Sequence, residues 1–118
     1  MARAGTCYPQ VEPGAAGLMD SRVTACPARA TVSQALALAR RRGAEVLVTG
    51  RGAAVRRRDL ERAALWGLGR SPISELALGG IPSVEVASPE IGVRRLLQGG
   101  APLVLVRSGR GIAGVVDR

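Results

Sequence analysis

The chain has 118 residues, of which 17 are basic and 9 acidic, and it contains no His and no Phe. This length allows one compact domain or two small repeats that share a core, and a hydrophobic content of 47% supplies the apolar surface. The absence of His excludes Ser-His-Asp and Cys-His nucleophile pairs, His-ligated zinc and imidazole acid–base catalysis. Every basic residue is Arg, which also excludes a phosphate-loop lysine and a Schiff-base lysine.

Cysteine usage and hydropathy favour an intracellular protein. Cys7 and Cys26 stand without a second pair, so they form neither a zinc ribbon nor a disulfide framework, and we interpret them as free thiols in a reducing compartment. No apolar run reaches the roughly 18 residues of a transmembrane helix, and residues 1–13 lack a signal-peptide pattern. We therefore expect a cytoplasmic location and no contact with a membrane.

The first half of the chain predicts a leader followed by a βαββα order. Residues 1–17 combine Pro and Gly with little periodicity, which is typical of a flexible leader. Apolar spacing, helix caps and turn residues then predict the elements of the first half. These elements are a strand at 23–26, a helix at 32–42 between Thr31 and Gly43, strands at 45–49 and 53–56 joined by a Gly50-Arg51-Gly52 turn, and a helix from Asp59 whose apolar stripe is Leu60, Ala63, Ala64 and Leu68.

The second half repeats this order and predicts an internal duplication. Its elements are a strand at 84–87, a helix at 91–98, a strand at 103–106, a turn at 108–111 and a strand at 112–116. Cys26-Pro27 aligns with Ser88-Pro89, and the two halves match at offsets of 57 to 62 residues. We predict an α/β (α+β) fold in which repeats 18–70 and 71–118 pack about a pseudo-two-fold axis, because neither repeat alone can bury its sheet.

A resemblance to a known family rests on four segments of the first half. They are the strand before Pro27, the helix that ends at Arg42-Gly43-Ala44, the strand at 46–49 and the stretch at 53–60. From Leu18 onward the chain resembles a tandem pair of cystathionine β-synthase (CBS) domains, a paired module that senses adenine nucleotides. In that family the last stretch reads Gly, two apolar residues, Thr or Ser, two further residues and Asp.

The match to this family pattern is incomplete in both repeats. Asp59 matches the family Asp, whereas Ala53 replaces the Gly and Arg56 replaces the Thr or Ser. The second repeat offers Gly114-Val115-Val116-Asp117, with Asp117 at the Thr or Ser position. The family Asp of this repeat would fall beyond Arg118, so we expect a second repeat that is cut before its last helix.

The resemblance implies an adenine-nucleotide site in each repeat and no catalysis by the module itself. Asp59 would accept hydrogen bonds from the ribose hydroxyls, because a carboxylate offers two acceptor oxygens. Arg56 would hold the phosphate, because a guanidinium binds phosphate bidentately. The alternatives are an Asp59 that stabilises a helix N-terminus beside Arg62, a solvated Arg56, and core packing for the apolar candidates. The candidate site residues are Val23, Thr24, Ala44, Val46, Arg56, Asp59, Ala101, Leu103 and Asp117.

The expected ligand is AMP, ADP, ATP or S-adenosylmethionine, and no cofactor is required. Without its ribose-binding Asp, the site of the second repeat is expected to be weak or empty. The resemblance also implies a homodimer through the helices at 59–68 and 91–98.

A second hypothesis makes the chain a structural, RNA-facing module. The linker at 58–73 resembles that of the CBS pair in bacterial A-adding and CCA-adding tRNA nucleotidyltransferases, which would imply an attached catalytic domain and tRNA as a partner. A net charge of +8, with Arg clusters at 40–42 and 56–58, suits RNA phosphates. However, Tyr8 and Trp66 are the only aromatic residues, so the sequence predicts no stacking platform for bases.

The letters Gly109-Arg110-Gly111-Ile112-Ala113-Gly114 match a dinucleotide-binding fingerprint. That fingerprint requires a helix at its third Gly and an acidic residue about 20 positions later. Here the apolar strand pattern continues, so the motif predicts a hairpin turn.

Overall fold

A computed structural model describes residues 14–50, 52–109 and 111–117. Within these residues the fold is α+β, as predicted, and each half contributes one three-stranded sheet. The elements are β1 (Val23–Ala25), α1 (Val32–Arg42), β2 (Val46–Thr49), β3 (Ala53–Arg56), α2 (Arg57–Leu65), β4 (Ser83–Glu85), α3 (Glu90–Gln98), β5 (Leu103–Ser108) and β6 (Gly111–Asp117). Short 3-10 turns precede each half at Ala15–Gly17 and Ile73–Glu75.

The two sheets have the same topology, which confirms the predicted duplication. In the first sheet β1 lies parallel to β2, and β2 pairs antiparallel with β3. In the second sheet β4 lies parallel to β5, and β5 pairs antiparallel with β6. Each parallel pair is joined through a helix and each antiparallel pair through a short turn, as strand geometry requires.

Helix α1 begins and ends as its sequence predicts. Thr31 and Gln34 form a capping box, in which the Thr31 hydroxyl accepts from the Gln34 backbone and Gln34 Oε1 accepts from the Thr31 backbone. Gly43 ends the helix in the left-handed conformation at φ 64°, which Gly adopts without steric cost. The residues buried on α1 are those of its apolar stripe, Val32, Ala35, Leu36 and Ala39.

Three differences from the predictions concern the bounds of α2, the bounds of β4 and the alignment of the two halves. Helix α2 begins at Arg57, directly after β3, and stops before Gly67 (φ 80°), so Leu68 lies outside the helix and is 42% exposed rather than part of its apolar stripe. Strand β4 covers Ser83–Glu85, and the chain turns away at Val86.

The third difference concerns the alignment of the two halves. Pro89 is the N-cap of α3 and so corresponds to Thr31, the N-cap of α1, and not to Pro27. The predicted alignment is wrong here because the connection from β1 to α1 is longer than the connection from β4 to α3.

The segment before the first repeat packs on the second repeat. Gly14 pairs with Pro89, and Asp20 pairs with Val115 of β6. Ala15 is fully buried in a cluster with Val93, Val104, Val106 and Val116. Residues 14–17 were predicted to belong to the flexible leader, but they dock on the second repeat, where the small Ala15 side chain enters this core while Ala16 and Gly17 stay exposed. The remainder of that leader, residues 1–13, lies outside the described residues.

The segment before the second repeat packs on the first repeat in the same way. Thr31 pairs with Pro72, and Ala54 of β3 pairs with Leu78. Ile73 is fully buried in the core of the first half. The two halves therefore exchange their leading segments, which is the arrangement that a pseudo-two-fold axis between equivalent repeats requires.

A central apolar layer joins the two sheets. It contains side chains from both halves, namely Val46, Ala54, Ile81, Leu103, Leu105 and Val115. No helix among the described residues is long and apolar enough to cross a membrane.

Candidate functional site: a cleft on the pseudo-two-fold axis

A cleft of about 220 Å³ opens where β2 begins and where β3 and β6 end. We call it the axial cleft and define it by its lining residues. These are Asp20, Arg22, Glu45, Val46, Arg56, Arg58, Val115 and Asp117. The lining combines two apolar walls with six charged residues from both halves of the chain.

An ion pair between Arg56 and Asp117 crosses this cleft. Arg56 donates from Nε to Asp117 Oδ2 at 3.0 Å and from Nη2 to Asp117 Oδ1 at 2.8 Å. Nη2 also donates to the carbonyl oxygen of Pro102 at 3.1 Å. The hydrogen bonds to Asp117 raise the pKa of Arg56 above its usual value. The Arg56 side chain is only 15% exposed, so this guanidinium is held in place from the second half of the molecule.

The two partners of this pair occupy equivalent positions in the two repeats. Arg56 is the last residue of β3 and lies opposite Val46, and Asp117 is the last residue of β6 and lies opposite Leu103. They are 61 residues apart, within the offsets of the duplication. Residues related by a two-fold axis contact each other only on that axis. The ion pair therefore marks the axis itself.

A second ion pair in the cleft is local. Arg22 donates from Nε to Asp20 Oδ1 at 3.0 Å and from Nη2 to Asp20 Oδ2 at 2.7 Å, and its backbone N–H donates to Oδ1 at 2.9 Å. The side-chain hydrogen bonds, followed by the backbone bond, lower the pKa of Asp20 to about 2. Since the partners are two residues apart, this pair forms within one turn of chain and does not join the repeats.

The first turn of α2 adds further positive charge. Arg57 lies 3.9 Å from Glu45 and 3.5 Å from Glu61, whereas Arg58 is exposed and forms no ion pair with a described residue. The N-cap of α2, Arg56, supplies no side-chain cap. Positive charge at a helix N-terminus opposes the helix dipole, and Asp59 is the one acidic residue in this first turn.

Several solved structures similar to this chain are CBS-domain proteins. No protein-family model matches the chain, and no similar curated protein was found. The hexameric CBS-CP12 protein from bloom-forming cyanobacteria is 20% identical with a TM-score of 0.69, covering 92% of this chain and 65% of that one. The AMP complex of the CBS domain protein PAE2072 from Pyrobaculum aerophilum is 19% identical with a TM-score of 0.63, covering 89% of this chain and 87% of that one. The chain has the tandem CBS fold.

A third similar structure is the cytosolic domain of the Mg²⁺ channel MgtE in complex with ATP, at 22% identity and a TM-score of 0.64. The match covers 88% of this CBS pair but only 45% of the MgtE chain. None of these three structures is described as a tRNA nucleotidyltransferase, so that more specific resemblance of the linker stays a prediction.

The CBS pair brings three of the predicted site residues together in the axial cleft. Val46, Arg56 and Asp117 all line it. Asp59 occupies the first turn of α2, with its carboxylate 3.8 Å from Arg62, and it is not among the lining residues. This contact with Arg62 is expected if Asp59 stabilises the N-terminus of α2, which was the alternative to a ribose-binding role.

The other predicted site residues lie elsewhere in the CBS pair. Val23 and Thr24 line a separate small cleft of about 140 Å³ beside Ile112. Ala44 and Leu103 are buried in two different apolar clusters, which agrees with core packing. Ala101 is half-buried just before β5.

Five residues of the axial cleft were not among the predicted nucleotide-site residues, although Arg58 belongs to the Arg cluster that the RNA-facing hypothesis uses. They are Asp20, Arg22, Glu45, Arg58 and Val115. Arg58 and Glu45 adjoin predicted positions, so a wider window around these positions would have found them. Asp20 and Val115 meet only because the leading segment crosses to the other repeat. No local pattern indicates that contact.

A larger cleft of about 660 Å³ lies between the hairpin turns of the two sheets. Its walls include Cys26, Arg107 and several Gly residues, and burial raises the pKa of the Cys26 thiol. Gly109 has φ 60° in the turn between β5 and β6, and β6 continues as a strand through Asp117. The Gly motif is therefore part of a hairpin, as predicted. Cys7 lies outside the described residues.

Proposed function

We propose that this CBS pair is a regulatory module, without catalysis of its own, that binds an adenine nucleotide in the axial cleft. The observation that carries the proposal is the convergence of Arg22, Arg56 and Arg58 on one cleft at the start of β2. Guanidinium groups are well suited to bind phosphate. Two proteins of the same fold were solved with AMP and with ATP, which supports the ligand class.

The charge at the start of α2 also favours an anionic ligand. Arg56, Arg57 and Arg58 stand where a helix favours negative charge, and Arg58 has no acidic partner among the described residues. A phosphate in the axial cleft would offset this repulsion. Helix N-termini with free backbone N–H groups bind phosphate for the same reason.

We assign the remaining parts of the nucleotide by chemistry. Asp59 would accept hydrogen bonds from the ribose hydroxyls, and it would give up its contact with Arg62 to do so. The base would pack on the apolar wall formed by Val46 and Val115. Arg56 and Arg58 would hold the phosphate.

Isothermal titration of the 118-residue protein tests this proposal. AMP, ADP, ATP and S-adenosylmethionine are titrated separately at physiological salt, together with the variants Asp59→Asn and Arg58→Ala. We expect one of the nucleotides to bind, with an affinity at least tenfold lower in each variant because a charged hydrogen bond is lost. Glu75→Gln removes a carboxylate outside the cleft and serves as the control. No binding at millimolar concentration, or binding that neither variant changes, contradicts the proposal.

A second titration, with tRNA, tests the RNA-facing alternative. The Arg40, Arg41 and Arg42 side chains are exposed, whereas Arg56 and Arg57 are engaged in ion pairs. Tight tRNA binding with a steep salt dependence, and no nucleotide binding, would favour that alternative.

We also propose that two copies of the module pair through their helices. Leu65 and Trp66 at the end of α2 are 85% and 74% exposed, and Ile91 on α3 is 60% exposed. Exposed apolar side chains of this size are typical of interaction surfaces. Sedimentation equilibrium of the wild type and of Trp66→Ser tests the pairing. A dimer that Trp66→Ser weakens supports the pairing. A wild-type monomer at about 100 µM, well above a micromolar Kd, contradicts it.

A further inference from the structure

Two carboxylates of the axial cleft, Asp20 and Asp117, bind Arg side chains that line the same cleft, but the sequence separation of the two pairs differs. Asp20 binds Arg22 within one turn of chain, whereas Asp117 binds Arg56 across the pseudo-two-fold axis. Asp117 also stands at the end of β6, where the CBS resemblance expects a hydroxyl residue. The chain has thus placed an anion beside the Arg that the proposed function assigns to phosphate.

We propose that Asp117 is an internal competitor of the nucleotide phosphate for Arg56, and that binding of the phosphate breaks this link between the repeats. The inference rests on the proposed function, and it adds how the site selects and reports its ligand. Asp117 occupies the edge of the guanidinium formed by Nε and Nη2, at 3.0 and 2.8 Å. A phosphate binds Arg through the same bidentate geometry, so the carboxylate and the phosphate cannot share that edge.

Burial of Arg56 makes the competition direct. With 15% of its side chain exposed and a further hydrogen bond from Nη2 to the Pro102 carbonyl, Arg56 has little freedom to turn towards another partner. Asp117 is 43% exposed and is the more accessible of the two partners. A phosphate therefore meets Arg56 in place and displaces the carboxylate into solvent.

The exchange has a structural consequence because the pair joins two strand ends. Arg56 ends β3 and is the N-cap of α2, and Asp117 ends β6. Without ligand, the pair ties the end of the second sheet to the start of α2. When a phosphate is bound, it replaces the Asp117 carboxylate as the anion beside α2, and β6 is no longer linked to Arg56. Ligand binding therefore changes how the repeats are connected. This difference between two states is what a regulatory module requires.

Matched charge removals inside and outside the axial cleft test the competition. Titrations with AMP and with adenosine are compared for the wild type, Asp117→Asn and Glu90→Gln. We expect Asp117→Asn to bind AMP about tenfold more tightly, as close charge pairs allow, with little change for uncharged adenosine. Glu90→Gln removes the same charge from a local pair with Arg94 outside the axial cleft, and it should change AMP affinity by less than about threefold.

The outcomes separate the two proposals. An unchanged or weaker AMP affinity in Asp117→Asn, or an equal gain in Glu90→Gln, overturns the competition while nucleotide binding stands. Absence of AMP binding in all three proteins overturns the proposed function and the competition together.

A second variant and a second measurement guard against loss of the fold. Asp117→Ser introduces the residue type of the family pattern at this position and should also bind AMP more tightly. Urea denaturation of Arg56→Gln, Asp117→Asn and the double variant, without ligand, measures the coupling across the axis. If the two single losses simply add, the pair does not connect the repeats, and the inference is wrong.

Discussion

The two halves of the molecule share a fold topology but differ in how completely their helices are buried. In the first half α1 packs against α2 and buries Val32, Ala35, Leu36 and Ala39. In the second half α3 buries only Val93, and Leu96 and Leu97 stay partly exposed, because among the described residues no helix follows β6. The comparison shows that a duplicated sequence pattern produces equal secondary structure, whereas the depth of burial depends on the neighbouring element.

The leading segments partly offset this difference. Residues 14–20 pack on the second half, and residues 72–78 pack on the first half. Ala15 and Ile73, at corresponding places in the two 3-10 turns, are both fully buried. Each repeat therefore completes its core with a segment that precedes the other repeat in the chain.

The largest effect is expected from removing the side chain by which α2 closes the first core. Leu60 is fully buried, and Leu60→Ala should lower the free energy of unfolding by about 2–5 kcal/mol through the cavity that it leaves. Leu96→Ala on α3 is the matched change in the second half, where the side chain is only partly buried, and should cost about half as much. Urea denaturation measures both. Equal losses would contradict the difference in burial.

The contact of the leading segment with β6 is tested at Gly114. A Cβ at this position would lie 2.7 Å from the carbonyl oxygen of Asp20 and 2.9 Å from Met19 Sδ, so Gly114→Ala forces the segment away. We expect a loss of about 1–3 kcal/mol, with faster hydrogen exchange at the Asp20 and Val115 amides, each of which donates to the carbonyl oxygen of the other residue. Gly111→Ala in the same strand meets no atom within 4 Å and is the control. A stable, unchanged Gly114→Ala would mean that the segment is not docked there.

A smaller effect is expected from the helix caps, which also differ between the halves. Thr31 caps α1 with its hydroxyl, whereas Pro89 offers no side-chain cap to α3. Thr31→Ala should destabilise the fold by about 1 kcal/mol, and Thr31→Ser should restore most of that loss. Thermal unfolding measures both variants. If Thr31→Ala is as stable as the wild type, the capping box does not form in solution.

The smallest effect concerns pH and the Asp20–Arg22 pair. The pKa of Asp20 is lowered from 3.8 to about 2, so its ionised form stabilises the fold above pH 4, and this contribution is lost as the pH falls from 4 towards 2. The wild type should therefore exceed Asp20→Asn in stability at pH 5, and the difference should shrink towards pH 2. Urea denaturation across this range measures it. A difference that stays constant with pH would show that the pair is absent.

Local sequence patterns were sufficient to predict most elements of the fold. The Thr31 and Gly43 caps of α1 appear where the sequence predicts them, and Gly50, Gly52 and Gly109 adopt positive φ within the predicted turns. The predicted boundaries were wrong where one element directly follows another without a turn residue between them. At the junction of β3 and α2, for example, Arg56 is both the last residue of the strand and the N-cap of the helix.

The site was predicted less completely than the fold. Val46, Arg56 and Asp117 meet in one cleft, but Ala44 and Leu103 are core residues, and Asp20 and Arg22 were missed. A single sequence does not distinguish an apolar side chain that lines a cleft from one that lies behind it. Burial is a property of the assembled sheets.

The sequence by itself determined the duplication, the order of strands and helices and the excess of Arg, because these depend on residue types and on spacing along the chain. Only the tertiary structure decided that the leading segments are exchanged between the repeats and that Arg56 pairs with Asp117. These contacts join residues that are far apart in the chain. Such residues come together only where two sheets pack about a common axis, and no periodicity within either repeat encodes that geometry.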